Sequence, residues 1–133
     1  MINVHLHWKN ELPLSWKVVP LKAVANYFVS SVDKLVNEGE TEVELCNYTD
    51  VYKNEYITRS ITFMKGSATE DEIKKFKLNE GDILITKDSE AWDDIGVPSF
   101  VLETKKDLLC GYHLAIIRAN PNRIIPKFLF RCL

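Results

Sequence analysis

The sequence predicts an α+β fold, a mixed twisted β-sheet with short flanking helices, and three observations carry that expectation. Short β-branched and apolar runs recur between turn signals, as strands require. One stretch, Thr69 to Phe76, carries a complete helix-start signature. The 133 residues, 46% apolar and 27% charged, suit one hydrophobic core and leave little room for two.

In chain order, Pro13 and Pro20 punctuate the first segment, and after Pro20 the residues Leu21, Val24, Ala25 and Phe28 fall at i, i+3, i+4 and i+7. That spacing predicts a short amphipathic helix opened by proline in its first turn. Residues 30–41, polar around Asn37-Glu38-Gly39-Glu40, read as a loop. From Thr41 the pattern alternates, with Val43, Leu45 and Asn47 on one side and Glu42, Glu44 and Cys46 on the other, which predicts a strand running into a polar-aromatic loop at Tyr48–Tyr52. Residues 56–64 are β-branched and aromatic, and their short run leaves helix and strand unseparated.

Thr69 with Glu72 three residues on forms a capping box, and acids precede lysines as the helix dipole prefers, so a helix follows Thr69. Asn79-Glu80-Gly81-Asp82 reads as a turn with glycine at its positive-φ position. Ile83–Thr86 is then a strand that delivers Lys87-Asp88-Ser89-Glu90 into a polar loop. Pro98–Glu103 and Tyr112–Arg118 read as two further strands, the second closed by an Asn120-Pro121-Asn122 turn, and Pro126 opens a final helix.

Composition also excludes. Five glycines and five prolines beside so much apolar content argue against a disordered or low-complexity chain. The longest apolar runs, Leu108–Cys110 and Leu114–Ile117, fall far short of the roughly 20 residues of a membrane helix. Met1–His5 lacks the features of a signal peptide, so a cytoplasmic location with no membrane partner is expected. Cys46, Cys110 and Cys132 are odd in number and show no CxxC spacing, which excludes a four-cysteine zinc site and points to buried thiols. The formal net charge of −2 excludes a polybasic nucleic-acid binder. Its distribution is uneven: residues 70–107 sum to −5 and residues 108–133 to +4. A local basic face therefore remains compatible with DNA, through binding that weakens steeply with salt.

Little points to catalysis. Cys110 and His113 would pair as nucleophile and base only if Gly111 bends the chain, because strand positions i and i+3 face opposite ways. His5 and His7 share one face of an extended segment, but no third metal ligand accompanies them. Glu90, Asp93 and Asp94 around Trp92 resemble neither the spacing nor the lysine partner of a nuclease centre and read as a solvated acidic loop. Phosphate-binding glycine loops and nucleophile elbows are absent from the sequence, so no enzyme activity of its own is expected. What remains is a set of amide, aromatic and basic side chains on expected loops: Asn47, Tyr48, Lys53, Asn54, Arg59, Lys65, Lys87, Ser89, His113, Asn122 and Arg123. These are residue types that contact phosphates and base edges.

An ordered series of blocks sharpens this. Leu12-Pro13-x-x-Trp16, Leu21-x-x-Val24-Ala25, Asn47-Tyr48-Thr49-Asp50-Val51-Tyr52, Phe63-Met64 ahead of the capped helix, Glu80 through Asp88, Cys110-Gly111-Tyr112-His113-Leu114 and Pro126-Lys127-Phe128-Leu129 follow one another along the chain. Over residues 10–133 the series resembles the target-recognition domain of a type I restriction-modification specificity (S) subunit.

The resemblance implies a single target-recognition domain over residues 1–124, with residues 125–133 as the start of a truncated spacer helix, since such subunits usually carry two recognition domains separated by long helices. It implies a non-catalytic, sequence-specific DNA-binding domain that reads one half-site of a bipartite target. DNA methylation and cleavage belong to partner subunits, which hold S-adenosylmethionine, ATP and magnesium, so no cofactor is expected on this chain. The implied partners are double-stranded DNA and the methylation and restriction subunits, with a homodimer as a further option. The alternative is a truncated interaction module that docks to a methyltransferase subunit and has little DNA affinity of its own. By position, Lys87 and Ser89 come first as DNA contacts, then Asn47, Tyr48 and Lys53, while His113 matches a Gly-Tyr-His-Leu strand in which it either anchors the fold by a hydrogen bond or contacts DNA; Arg59, Lys65 and Arg123, from the loop set above, complete the expected contacts. Trp16, Leu21, Gly81, Ile83 and Leu114 match framework positions and are expected in the core or at turns.

Overall fold

The computed structural model describes residues 12–133. His5 and His7 lie outside the described residues. The elements are β1 (Ala25–Val29), β2 (Thr41–Cys46), α1 (Tyr48–Lys53), β3 (Tyr56–Ile57), β4 (Met64–Ala68), α2 (Glu70–Phe76), β5 (Ile83–Thr86), β6 (Pro98–Val101), β7 (Leu108–Cys110), β8 (Leu114–Ala119) and α3 (Pro126–Cys132). The fold is α+β, but its strands form two sheets where one was expected: a five-stranded sheet in the order β1-β8-β5-β6-β3 and a three-stranded sheet in the order β4-β2-β7. Both are mixed, because β3 runs parallel to β6 and β7 parallel to β2. The chain alternates between the sheets along its length, and its shortest crossing is the turn that joins β7 to β8.

β5 and β8 explain the layering. They pair antiparallel with Leu84 opposite Ile116 and Ile83 opposite Ile117. Leu84 and Ile116 join Val43, Leu45 and Leu109 in one apolar cluster, while Ile83 and Ile117 join Phe100, Leu129 and Phe130 in a second. A strand covered on both faces needs apolar residues at every position, which is why these two read as continuous runs rather than alternations. α3 covers the second face through Leu129 and Phe130, its two buried residues.

The expected helix after Pro20 is instead one 3-10 turn, Leu21–Ala23, followed by strand β1. Ala25–Val29 pairs antiparallel with β8, from Ala25 opposite Ala119 to Val29 opposite Ala115. Phe28 packs on the first cluster and Ala25 on the second, opposite faces of one strand, so a spacing of three served a two-faced sheet as well as it would have served a helix. The β-branched and aromatic content of this stretch favours the ladder. Trp16 and Leu21, expected in the core or at turns, are exposed and at turns: the Trp16 N–H donates to the Pro13 carbonyl at 2.9 Å, Leu21 opens the 3-10 turn, and the Trp16 ring meets the exposed Phe128 edge-on at 5.8 Å. Ile83 and Leu114 are fully buried as expected, and Gly81 holds a φ of +90° in its turn.

The expected polar-aromatic loop at Tyr48–Tyr52 is helix α1. Its start is a capping box in which the Asp50 carboxylate accepts the Asn47 backbone N–H at 2.8 Å. Residues 56–64 contribute β3 and the first residue of β4 on either side of a turn. α2 begins as expected, with Thr69 accepting from the Glu72 backbone N–H at 3.2 Å and the Glu72 carboxylate accepting from Thr69. Among the described residues no helix is long and apolar enough to cross a membrane.

Candidate functional site

Three separate segments meet around one open cleft of about 670 Å³: Asn47–Thr49 at the start of α1, Asp88–Ala91 with Asp94 from the loop after β5, and His113 from the β7–β8 turn, with Lys34 added from the loop before β2. Close backbone approach brings them together. β2 and β7 end side by side, Cys46 opposite Cys110, and the Gly111 N–H donates to the Cys46 carbonyl at 2.8 Å. A Cβ at Gly111 would lie 2.7 Å from the Asn47 side-chain oxygen and 2.9 Å from the Cys46 carbonyl oxygen, so only glycine lets the turn carrying His113 lie against the start of α1.

The loop after β5 is fastened at its base. Thr86 Oγ1 donates to the Asp94 carbonyl at 2.5 Å and accepts the Val97 N–H at 2.9 Å, and the Thr86 carbonyl accepts the Gly96 N–H at 2.8 Å. Inside it, Ser89 Oγ accepts from the Ala91 N–H at 3.2 Å and donates to Asp94 at 3.3 Å. The loop is thus a closed lobe that directs Asp88, Glu90 and Trp92 outward.

Asp88 is the electrostatic centre of the rim. Its Oδ2 meets Lys87 Nζ at 2.7 Å and His113 Nδ1 at 3.3 Å, and Lys87 also lies over the Tyr112 ring at 5.0 Å. These two hydrogen bonds, Lys87 first, hold the Asp88 carboxyl below the ordinary aspartate range. On the α1 side, Tyr48 and Tyr52 stack with centroids 5.8 Å apart and planes 12° apart. The Asp94 charge and its hydrogen bond to the phenol push Tyr52 above the ordinary tyrosine range. Lys34, Lys87 and His113 therefore stand among Asp88, Glu90 and Asp94, a mixed and slightly acidic rim.

Of the residues expected to contact DNA, Asn47, Tyr48, Ser89 and His113 line this cleft and Lys87 stands beside it. Asn47 is buried at the helix cap and does framework work as much as any other. The other four lie elsewhere. Lys53 sits at the far end of α1 in a second depression with Asn54 and Arg131. Arg59 donates to the Thr104 carbonyl at 3.1 Å and reaches Glu80 at 4.0 Å. Lys65 pairs with Glu42 at 3.5 Å on the three-stranded sheet, and Arg123 lines an apolar groove with Trp16 and Phe128. Sequence reasoning missed Lys34 and Asp88 as parts of the cleft. Asp88 was signalled by its place between Lys87 and Ser89, whereas Lys34 arrives through tertiary folding alone.

Cys110 and His113 do not form a catalytic pair. Cys110 is fully buried with its Sγ 3.7 Å from the Gly111 carbonyl, burial pushes its thiol far above the ordinary range, and the His113 ring turns instead to Asp88. Cys46 is likewise buried and shifted upward, while Cys132, expected inside with them, is exposed near the end of α3, beyond the packed turn. Among the described residues no group of three or more His, Cys, Asp or Glu side chains is placed to hold a metal ion.

Fold and site together define a small α+β domain that presents a polar cleft built from loops. No protein-family model matches this chain, and no curated protein matches it significantly.

Proposed function

We propose that this domain reads one half of a bipartite sequence in double-stranded DNA as the recognition module of a type I restriction-modification complex, without chemistry of its own. The observation that carries the reading is the convergence of the Asn47-Tyr48, Lys87-Asp88-Ser89 and Gly111-Tyr112-His113 blocks, distant in sequence and all part of the family resemblance, on one cleft. Its rim offers hydroxyl donors and acceptors, an imidazole and carboxylates. Serine bonds to either side of a base pair, and carboxylates accept from the cytosine amino group. Such a rim discriminates base edges better than it attracts phosphates. A cytoplasmic location and partnership with methylation and restriction subunits go with this reading.

Selection from a randomised duplex pool tests it. The wild-type domain should enrich a short motif, and Ser89→Ala and His113→Ala should each relax preference at one position, at about 1–3 kcal/mol per lost base contact. A folded wild-type domain that enriches no motif overturns the reading.

One observation favours a second reading, docking to a methylation subunit: Trp16, Val19, Ile125 and Phe128 leave an exposed apolar groove beside α3. Capture of that subunit by a domain without duplex affinity would select this second reading.

A further inference from the structure

The proposed cleft poses an electrostatic problem. Most protein–DNA affinity comes from cations that displace counterions from phosphates, yet Lys87, beside the cleft, is compensated by Asp88 at 2.7 Å and lies 5.0 Å from the centre of the Tyr112 ring. The carboxylates Glu90 and Asp94 share the same wall. Among the described residues Lys34 is the one lysine on the lining, against three carboxylates, so most of the grip on the backbone must come from elsewhere.

The far end of α1 has the opposite character. A depression of about 380 Å³ there is walled by Lys53, Asn54, Glu55 and Arg131. Lys127, one turn before Arg131 on α3, places its ammonium 5.5 Å from the centre of the Tyr56 ring. Lys53 and Arg131 line the depression with one acid, Glu55, and Lys127 stands beside Arg131 over the same Tyr56 ring. Arg131 is fixed there by Glu55 at 2.5 Å and by the Tyr56 hydroxyl at 2.6 Å. A guanidinium carries five N–H donors, and these two contacts occupy only part of the fork, with the side chain still 56% exposed. Lys53 and Lys127 are exposed. Two of the four cations that residues 108–133 hold without an acid, Lys127 and Arg131, stand here.

The two depressions share one wall. Tyr48 borders the first and Lys53 the second, at the two ends of α1, and the stacked Tyr48–Tyr52 pair links them. Six helical residues advance about 9 Å at ~1.5 Å each, which corresponds to two or three base-pair steps of ~3.4 Å along the DNA axis. We propose that Lys53, Lys127 and Arg131 form a backbone-phosphate clamp, set across α1 from the base-reading cleft, so that one depression holds the strand while the other reads it. This rests on the DNA reading above and adds to it a division of labour, with Lys127 and Arg131 as new contact residues.

The experiment is a salt series of binding to a labelled random-sequence duplex, followed by fluorescence anisotropy, for the wild-type chain, Lys53→Ala, Lys127→Ala, Lys53→Arg and Ser89→Ala. All four changes lie on exposed or half-exposed side chains, and circular dichroism confirms folding. Each lysine-to-alanine variant should shallow the plot of log affinity against log salt by about one unit, equally on every duplex sequence. Lys53→Arg should keep the wild-type slope, and so should Ser89→Ala. Wild-type slopes in Lys53→Ala and Lys127→Ala would overturn the clamp while leaving the DNA reading intact. Absence of salt-sensitive duplex binding by the folded wild-type chain would overturn both.

Discussion

Arg118 grips Asp82 with two parallel hydrogen bonds, Nε to Oδ1 and Nη2 to Oδ2, each 2.8 Å long, and the Asp82 side chain is 1% exposed. The pair ties β8 to the turn that opens β5. Asp82 also accepts the Asn79 N–H at 2.8 Å, so its charge is fully partnered, and the Arg118 guanidinium rests 5.2 Å from the centre of the Phe28 ring. One side chain thus joins two strands of the five-stranded sheet, β8 and β1, to the turn that opens β5.

Removing one partner of this pair should cost more than the pair contributes. Arg118→Ala leaves a buried carboxylate with no counter-charge, and an expected loss of about 3–5 kcal/mol follows from that desolvation. Asp82→Ala should cost less, because Arg118 is 31% exposed and can turn toward water. Urea unfolding monitored by circular dichroism checks the ranking. Equal losses below about 1 kcal/mol would mean that water already reaches Asp82 in solution.

How much of this was legible in the sequence depended on whether the deciding interaction is local. α2 was legible because Thr69 and Glu72 complete their capping box within four residues. β5 and β8 were legible because burial on both faces writes a continuous apolar run. β1 was not, because Ala25 and Phe28 each answer to a different cluster across a sheet that the local pattern does not reveal. α1 was missed because its box closes on Asp50 where glutamate or glutamine is the usual signal. For the site, the blocks at Asn47, Lys87 and Gly111 marked the right loops, whereas Arg59 and Lys65 proved to face Glu80 and Glu42, partners 21 and 23 residues away. Cations and carboxylates that meet only in three dimensions leave no trace in spacing.

Gly111 is the second place where a single atom decides the geometry. A methyl group there would meet the Asn47 Oδ1 and the Cys46 carbonyl, both inside van der Waals distance, and the backbone carbonyl belongs to a paired strand that cannot easily yield. Gly111→Ala should cost about 1–3 kcal/mol, the usual range for overpacking. It should also move the His113 amide resonance more than those of α2, since the turn must back away from α1. A thermal midpoint equal to wild type would show that the β7–β8 turn is not pinned to the helix cap.

Asp88 tests the rim directly by pH. Its carboxyl is held below the ordinary aspartate value of 3.8, first by the Lys87 hydrogen bond and then by His113. A carboxylate whose pKa is lower in the folded than in the unfolded chain favours folding once it is ionised, so its contribution is complete above the ordinary aspartate range and disappears as pH falls through the depressed value. The group is solvent-facing, so the effect should be visible as a titration midpoint rather than as a large change in stability. NMR titration of the side-chain carboxyl carbon should give a midpoint below that of a free aspartate. Lys87→Ala should raise the midpoint, and His113→Ala should raise it by less. The reverse order would make the imidazole, not the ammonium, the group that holds the rim together.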